Sequence, residues 1–160
     1  MKKIVFNAPG GWAVTDKTEP VEDEGLGTLD IKQEIHVTPD RGNIVRSIDL
    51  SFYPDENPEA FQEAKECMEM NLERYLELTM PQFYRVYFSG QFLFNVESGG
   101  KRAWYYVCQE QGECSATVEF ALDFQPDHHI VFGSVEVNST LYELESIMRD
   151  VVERISLQDA

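Results

Sequence analysis

Glu119 is the residue best placed for proton chemistry. Around it, Cys114, Ala116, Val118, Phe120, Leu122 and Phe124 alternate with Ser115, Thr117, Glu119, Ala121 and Asp123. Strand side chains point alternately to opposite faces, so this is a strand with one apolar face and with Thr117 and Glu119 on the other. Pairing in an antiparallel meander is expected to bring Tyr84 and Tyr105 to that same half-polar face. A glutamate desolvated there would rise in pKa and could act as a base. A solvated strand carboxylate is the simpler reading of the same residues. Arg85 is expected among the aromatic side chains of the opposite face. Because a guanidinium stays charged, it must reach water along its stem, stack on Trp104 or Tyr87 beside a carboxylate, or wait in a groove for an anionic group.

The remaining reactive side chains carry weaker patterns. His128 and His129 follow Pro126-Asp127, but neighbouring residues of an extended chain point apart, so no metal site is expected. His36 reads as a surface residue of a strand. Cys108 and Cys114 flank a five-residue turn; the spacing suits neither a zinc knuckle nor a Cys-x-x-Cys redox pair, and small packing residues are the reading adopted. The sequence contains no Gly-x-Ser-x-Gly, Walker A, dinucleotide-binding or His-Glu-x-x-His motif. Accordingly, no catalytic residue, cofactor or metal is expected.

Charge is the strongest compositional signal. The 160 residues carry 13 lysines and arginines against 29 aspartates and glutamates, a formal net charge of −16. Such a chain repels phosphate backbones and anionic membrane surfaces, which argues against nucleic-acid and membrane partners; a basic protein partner is compatible with it, and so is acidity that simply keeps the chain soluble. With 42% hydrophobic and 12% aromatic residues the chain can bury a real core, and its length suits one globular domain over 1–160. No run approaches the ~20 apolar residues of a membrane span, and the N-terminal apolar run is short for a signal peptide. With an odd number of cysteines, a cytoplasmic setting is expected.

The elements that must position these residues follow from periodicity. Lys3 to Asn7 reads as a short strand, 8–11 as a turn, Trp12-Ala13-Val14 as the start of a second strand and 15–27 as an acidic loop. Thr28 to Thr38 and the stretch bearing Ile44, Ile48, Leu50 and Phe52 form a hairpin about the turn at 39–43. Asn57-Pro58 opens a long helix reaching about Thr79, with Phe61, Ala64, Met68, Leu72 and Leu76 on one stripe. Residues 82–137 read as five strands. Turns at Ser89-Gly90, at 98–100 and at 109–113 set Arg85 opposite Phe94, Phe94 opposite Trp104 and Trp104 opposite Val118, placing Trp104 in the core. A second helix starts near Thr140, where Thr140 and Glu143 are spaced as a capping box; its stripe is Leu141, Leu144, Met148, Val151, Val152 and Ile155. The class expected is α+β: an antiparallel sheet of about seven strands with two main helices in an α/β/α sandwich.

This order of elements, with an N-terminal apolar strand running into Pro9-Gly10-Gly11-Trp12, resembles the Mog1/PsbP-like fold, including the DcrB-related bacterial domains. Members of that superfamily are generally binding proteins: photosystem accessory subunits, a nuclear-transport cofactor and chaperones of secreted effectors. The resemblance implies binding rather than catalysis and carries no active-site residues onto this chain. Two functions compete at this stage. One is a non-catalytic protein-binding module: a chaperone or adaptor, or an acidic protein that neutralises a basic toxin. The other is a small-molecule binder or hydrolase using the half-polar face around Glu119 and Tyr105. The candidate binding residues are Tyr84, Arg85, Tyr105, Thr117 and Glu119.

Overall fold

Alternation of apolar and polar residues is most regular in 114–124, and its part 116–124 lies inside the sheet, paired with a strand on each side. The computed structural model describes residues 1–23, 28–54, 66, 70, 84–87, 94–110, 115–138 and 143–160. They form strands β1 (Lys2–Phe6), β2 (Ala13–Asp23), β3 (Thr28–Thr38), β4 (Val45–Phe52), β5 (Tyr84–Tyr87), β6 (Phe94–Ser98), β7 (Lys101–Glu110), β8 (Ala116–Phe124) and β9 (His129–Val137), then helix α1 (Leu144–Arg154) and strand β10 (Ile155–Asp159). Eight strands make the main antiparallel sheet, in the order β2-β3-β4-β9-β8-β7-β5, with β6 also pairing β7; β1 and β10 pair separately.

One face of the main sheet is the core. Ile35, Val37, Ile48, Leu50, Phe52, Ala103, Tyr105, Val107, Val118, Phe120, Leu122, Val131 and Val135 are buried together there. Helix α1 closes over them with Leu144, Met148, Val151 and Val152, while β1 and β10 add Ile4, Phe6 and Ile155. Each such side chain contributes about 1.5–3 kcal/mol by leaving water. Gly133 of β9 lies under the Phe120 ring; a Cβ there would come within 2.3 Å of that ring and 2.9 Å of the Asp49 carbonyl, so no larger residue fits.

Two polar side chains join the pieces. Gln33, 2% exposed, acts as a substitute strand partner: its Nε2 donates to the Ile4 carbonyl at 2.8 Å and its Oε1 accepts from the Ile4 N–H at 2.9 Å. Lys101 aims its ammonium at the end of α1, donating to the Val152 and Ile155 carbonyls at 2.8 Å each. It thereby satisfies acceptors that a helix C-terminus leaves open.

The α+β class and the antiparallel sheet agree with the sequence reading; several details do not. Residues 13–23 are strand, not loop, and pair along their whole length with β3. Ile44 is exposed, because a bulge between Val45 and Ser47 hands the inward position to Val45. β5 and β6 both pair with β7, so Arg85 stands opposite Gln109 rather than Phe94. The turn between β6 and β7 has two residues, Gly99 and Gly100, both at positive φ, so Phe94 faces Tyr105 and not Trp104. Trp104 consequently pairs with Ala121 rather than Val118. An odd shift exchanges the two faces of a strand, so Tyr105 joins the main core cluster, while Trp104 and Tyr106 are buried on the opposite face. The last helix ends at Arg154, and Ile155 opens β10.

The long helix expected from Asn57 to Thr79 lies outside the described residues except Glu66 and Met70, which are helical and exposed. The turn at Ser89-Gly90, Cys114 and the box residue Thr140 also lie outside them.

Candidate functional site

The half-polar face is built row by row across the sheet. Register places His36 opposite Asp49, Asp49 opposite Ser134, Ser134 opposite Glu119 and Glu119 opposite Tyr106. The neighbouring rows bring Ser51, Phe132, Ala121 and Trp104 together, and Ser47, Glu136, Thr117 and Cys108. Strands lie about 4.8 Å apart, so the Asp49 and Glu119 backbones stand about 10 Å apart with Ser134 between them. The face changes character along these rows: Trp104, Tyr106, Cys108 and Ala121 are buried, Thr117, Glu119, Phe132 and Ser134 are half-buried, and His36 and Asp49 are exposed.

Electrostatics follow that gradient. Burial pushes the Glu119 carboxyl above its usual range, and the Asp49 charge pushes it further. His36 Nδ1 meets Asp49 Oδ1 at 2.5 Å, and its Nε2 meets Thr38 Oγ1 at 3.3 Å. Both ring nitrogens are therefore engaged, and the imidazole does not serve Ser134 as a base. The row offers hydrogen-bond acceptors and negative charge, which suits holding a cation or a donor more than attacking an electrophile.

A second polar cluster lies at the β8–β9 turn. Asp123 is fully buried, with His128 Nδ1 at 2.9 and 3.1 Å from its two oxygens and Arg102 opposite it in β7. Burial raises the Asp123 carboxyl, and the hydrogen bond from His128 and the charges of His128, Arg102 and His129 work against that rise. His129 goes elsewhere, edge-on to Phe52 at 6.4 Å. Among the described residues no three His, Cys, Asp or Glu side chains lie together as a metal site would need. Nearby, a cleft of about 330 Å³ opens between Gly99, Lys101, Asp127, His129 and Ser156. Lys101 on its wall is already bound to the helix carbonyls.

The third feature is a ribbon. β2 and β3 pair over eleven residues each, but β4 reaches β3 only from Gln33 to Val37. Five further pairs, Glu19–Asp23 with Thr28–Lys32, continue beyond the last β4 partner. At about 3.3 Å per residue this arm is about 16 Å long. Residues 13–38 contain seven acidic side chains and two lysines. Lys17 and Lys32 pair with Glu19 at 3.1 Å and Glu34 at 2.7 Å, leaving the arm net acidic.

Of the residues expected to form a site, Thr117 and Glu119 do share the half-polar face. Tyr105 does not: it is 4% exposed within the core, and Tyr106 stands opposite Glu119 instead. Tyr84 and Arg85 pair through β5 with Glu110 and Gln109, and their side chains lie outside the described residues. Asp49, Ser134 and Tyr106 were missed because no local pattern joins them; only the register does. The acidic composition of 15–27 was visible, but not that 13–23 pairs as a strand along β3.

No protein-family model matches the chain, and no curated protein matches it. Among solved structures it is similar to the crystal structure of LpqN, involved in cell envelope biogenesis of Mycobacterium tuberculosis. That likeness has a TM-score of 0.41 and 12% identity over 99% of this chain and 85% of that one.

Proposed function

We propose that this protein is a non-catalytic, cytoplasmic protein-binding module of the adaptor, chaperone or toxin-neutralising kind, and that its partner is basic. The observation that carries this reading is the β2–β3 arm, which extends past the sheet with its charge net acidic. An isolated two-stranded ribbon is marginal in water, and ordering its backbone is unfavourable, so contact with a partner would account for an arm that continues past the last β4 partner. The net charge of −16 supplies the complementary field for a basic surface. The Mog1/PsbP-like fold is part of the same proposal; it rests on the N-terminal apolar strand, the hairpin, the meander and the C-terminal helix coming in that order.

The test replaces residues 20–31 by Asn-Gly, which closes the hairpin early. Proteins captured by the full chain at low salt, and lost both from the shortened chain and at high salt, would bear the proposal out. Identical capture by both chains would sink the arm's role.

A second reading has one observation in its favour, the raised carboxyl of Glu119 beside Ser134 and Asp49. It makes the half-polar face a small-molecule site, or a hydrolase site with Glu119 as base. Thermal-shift screening with a cationic and polar ligand library, repeated on Glu119→Gln, decides it. A ligand whose shift vanishes in the variant supports this reading, and none in a broad library removes it.

A further inference from the structure

We infer that the outer edge of β2, from Val14 to Thr18, is a strand-addition site for an extended basic segment of another protein. The inference deepens the protein-binding reading above, on which it rests, by giving the partner a backbone conformation.

Pro20 supplies the geometry. It lies within an unbroken ladder in which Glu19 pairs with Lys32 and Val21 with Asp30. Proline has no N–H, so within a ladder its nitrogen faces the side without a partner. Backbone groups alternate sides with a period of two. The N–H and C=O groups of Val14, Asp16 and Thr18 therefore face outward, while those of Thr15, Lys17 and Glu19 face β3. β2 ends the strand order, and among the described strands none pairs with that side. Val14, Asp16 and Thr18 are exposed, with Val14 at 41%. Three outward donor–acceptor pairs thus stand in a row about 7 Å apart, closed at one end by Pro20.

The side chains choose the occupant. Edge strands use charge and proline to discourage unwanted pairing. Here the charge has a sign: Asp16 stands in the middle of the row, while Lys17 and Glu19 beside it pair with each other and cancel. Asp16 is held in place by Gln33 Nε2, 3.1 Å from both its oxygens. A second copy of the chain, carrying the same acidic edge, would set Asp16 against Asp16 in a register centred there, whereas a strand bearing lysine or arginine can place a cation opposite Asp16. Main-chain bonds would supply affinity and the charges direction.

Amide exchange of the full chain by NMR tests this, with and without a ten-residue peptide alternating lysine and valine, and with a glutamate–valine peptide as control. In the free chain, Val14, Asp16 and Thr18 should exchange fast, and Thr15, Lys17 and Glu19 slowly. On adding the basic peptide, the three fast amides should slow by about tenfold or more. Thr18→Pro, which removes an outward donor and none used by β3, should abolish the protection; Val14→Pro serves if Thr18→Pro disturbs the ribbon. Binding that leaves the three amides fast overturns strand addition while leaving a purely electrostatic protein-binding surface standing. Protection appearing when the chain alone is concentrated would make a second copy the occupant and overturn the proposal. No binding of the basic peptide at low salt, or equal binding of the acidic one, overturns it as well.

Discussion

The molecule contains two pieces of two-stranded antiparallel structure with opposite fates. β1 and β10 pair residue for residue, Lys2 with Asp159 through Phe6 with Ile155, and bury Ile4, Phe6 and Ile155 in the core. The β2–β3 arm pairs just as regularly, but Glu19, Pro20, Glu22, Asp23, Asp30 and Lys32 outnumber its apolar Val21, Leu29 and Ile31. Backbone pairing alone distinguishes nothing here. Whether an element serves the fold or a partner depends on what its side chains leave behind when they leave water.

The contrast predicts a steep difference in mutational cost. Ile4→Ala opens a cavity at a fully buried position of β1 and should destabilise by about 2–5 kcal/mol, whereas Glu19→Ala on the arm should stay within about 1 kcal/mol. Urea melts of the two variants would measure it, and equal losses would mean that the arm is packed after all. Gln33→Leu comes next. It keeps the volume but orphans the Ile4 N–H and carbonyl, for about 1–3 kcal/mol each, and should loosen β1 before the main sheet. Exchange of the β1 and β10 amides quickening ahead of the β8 amides would show this. Shortening the arm at residues 20–31 should cost no more than about 1 kcal/mol, since loop-closure terms change slowly with length.

The smallest effect concerns pH. Glu119 is held above its usual range first by burial, then by Asp49. The folded chain thus binds that proton more tightly than the unfolded chain. Its contribution is full below the unfolded pKa and is lost as pH rises through the folded one. Glu119→Gln removes the loss, so the variant should match the parent near pH ~4 and overtake it towards neutrality. A difference that does not change with pH would put Glu119 in open solvent.

What could be read from the sequence follows the same division. β3, β4 and β8 were legible because one face of each is buried and alternation survives. The α1 stripe was legible for the same reason, although its period continues through Ile155 and hides the change to strand at that residue. β2 was illegible because Ala13 to Thr18 are exposed on both faces and so have no reason to alternate, and Pro20 fits a strand only where its missing N–H faces an open edge. Tyr106 takes the place expected for Tyr105 on the Glu119 face because the β7–β8 connection is longer than expected, setting Cys108 opposite Thr117 rather than Cys114. Thr117 and Glu119 were found because they lie on one strand; Asp49 and Ser134 were not, because the row that joins them crosses three strands.

The pairing of β1 with β10 also sets a timetable. It joins Lys2 to Asp159, the widest separation in sequence among the paired strands, and such distant contacts are slow to close. During synthesis Ile4 and Phe6 emerge long before their partner strand, Ile155–Asp159. Until then the core cannot be sealed at that end, and the nascent chain presents an apolar strand to whatever stands near the ribosome. A folding helper, or a partner that arrives early, would have that interval in which to act.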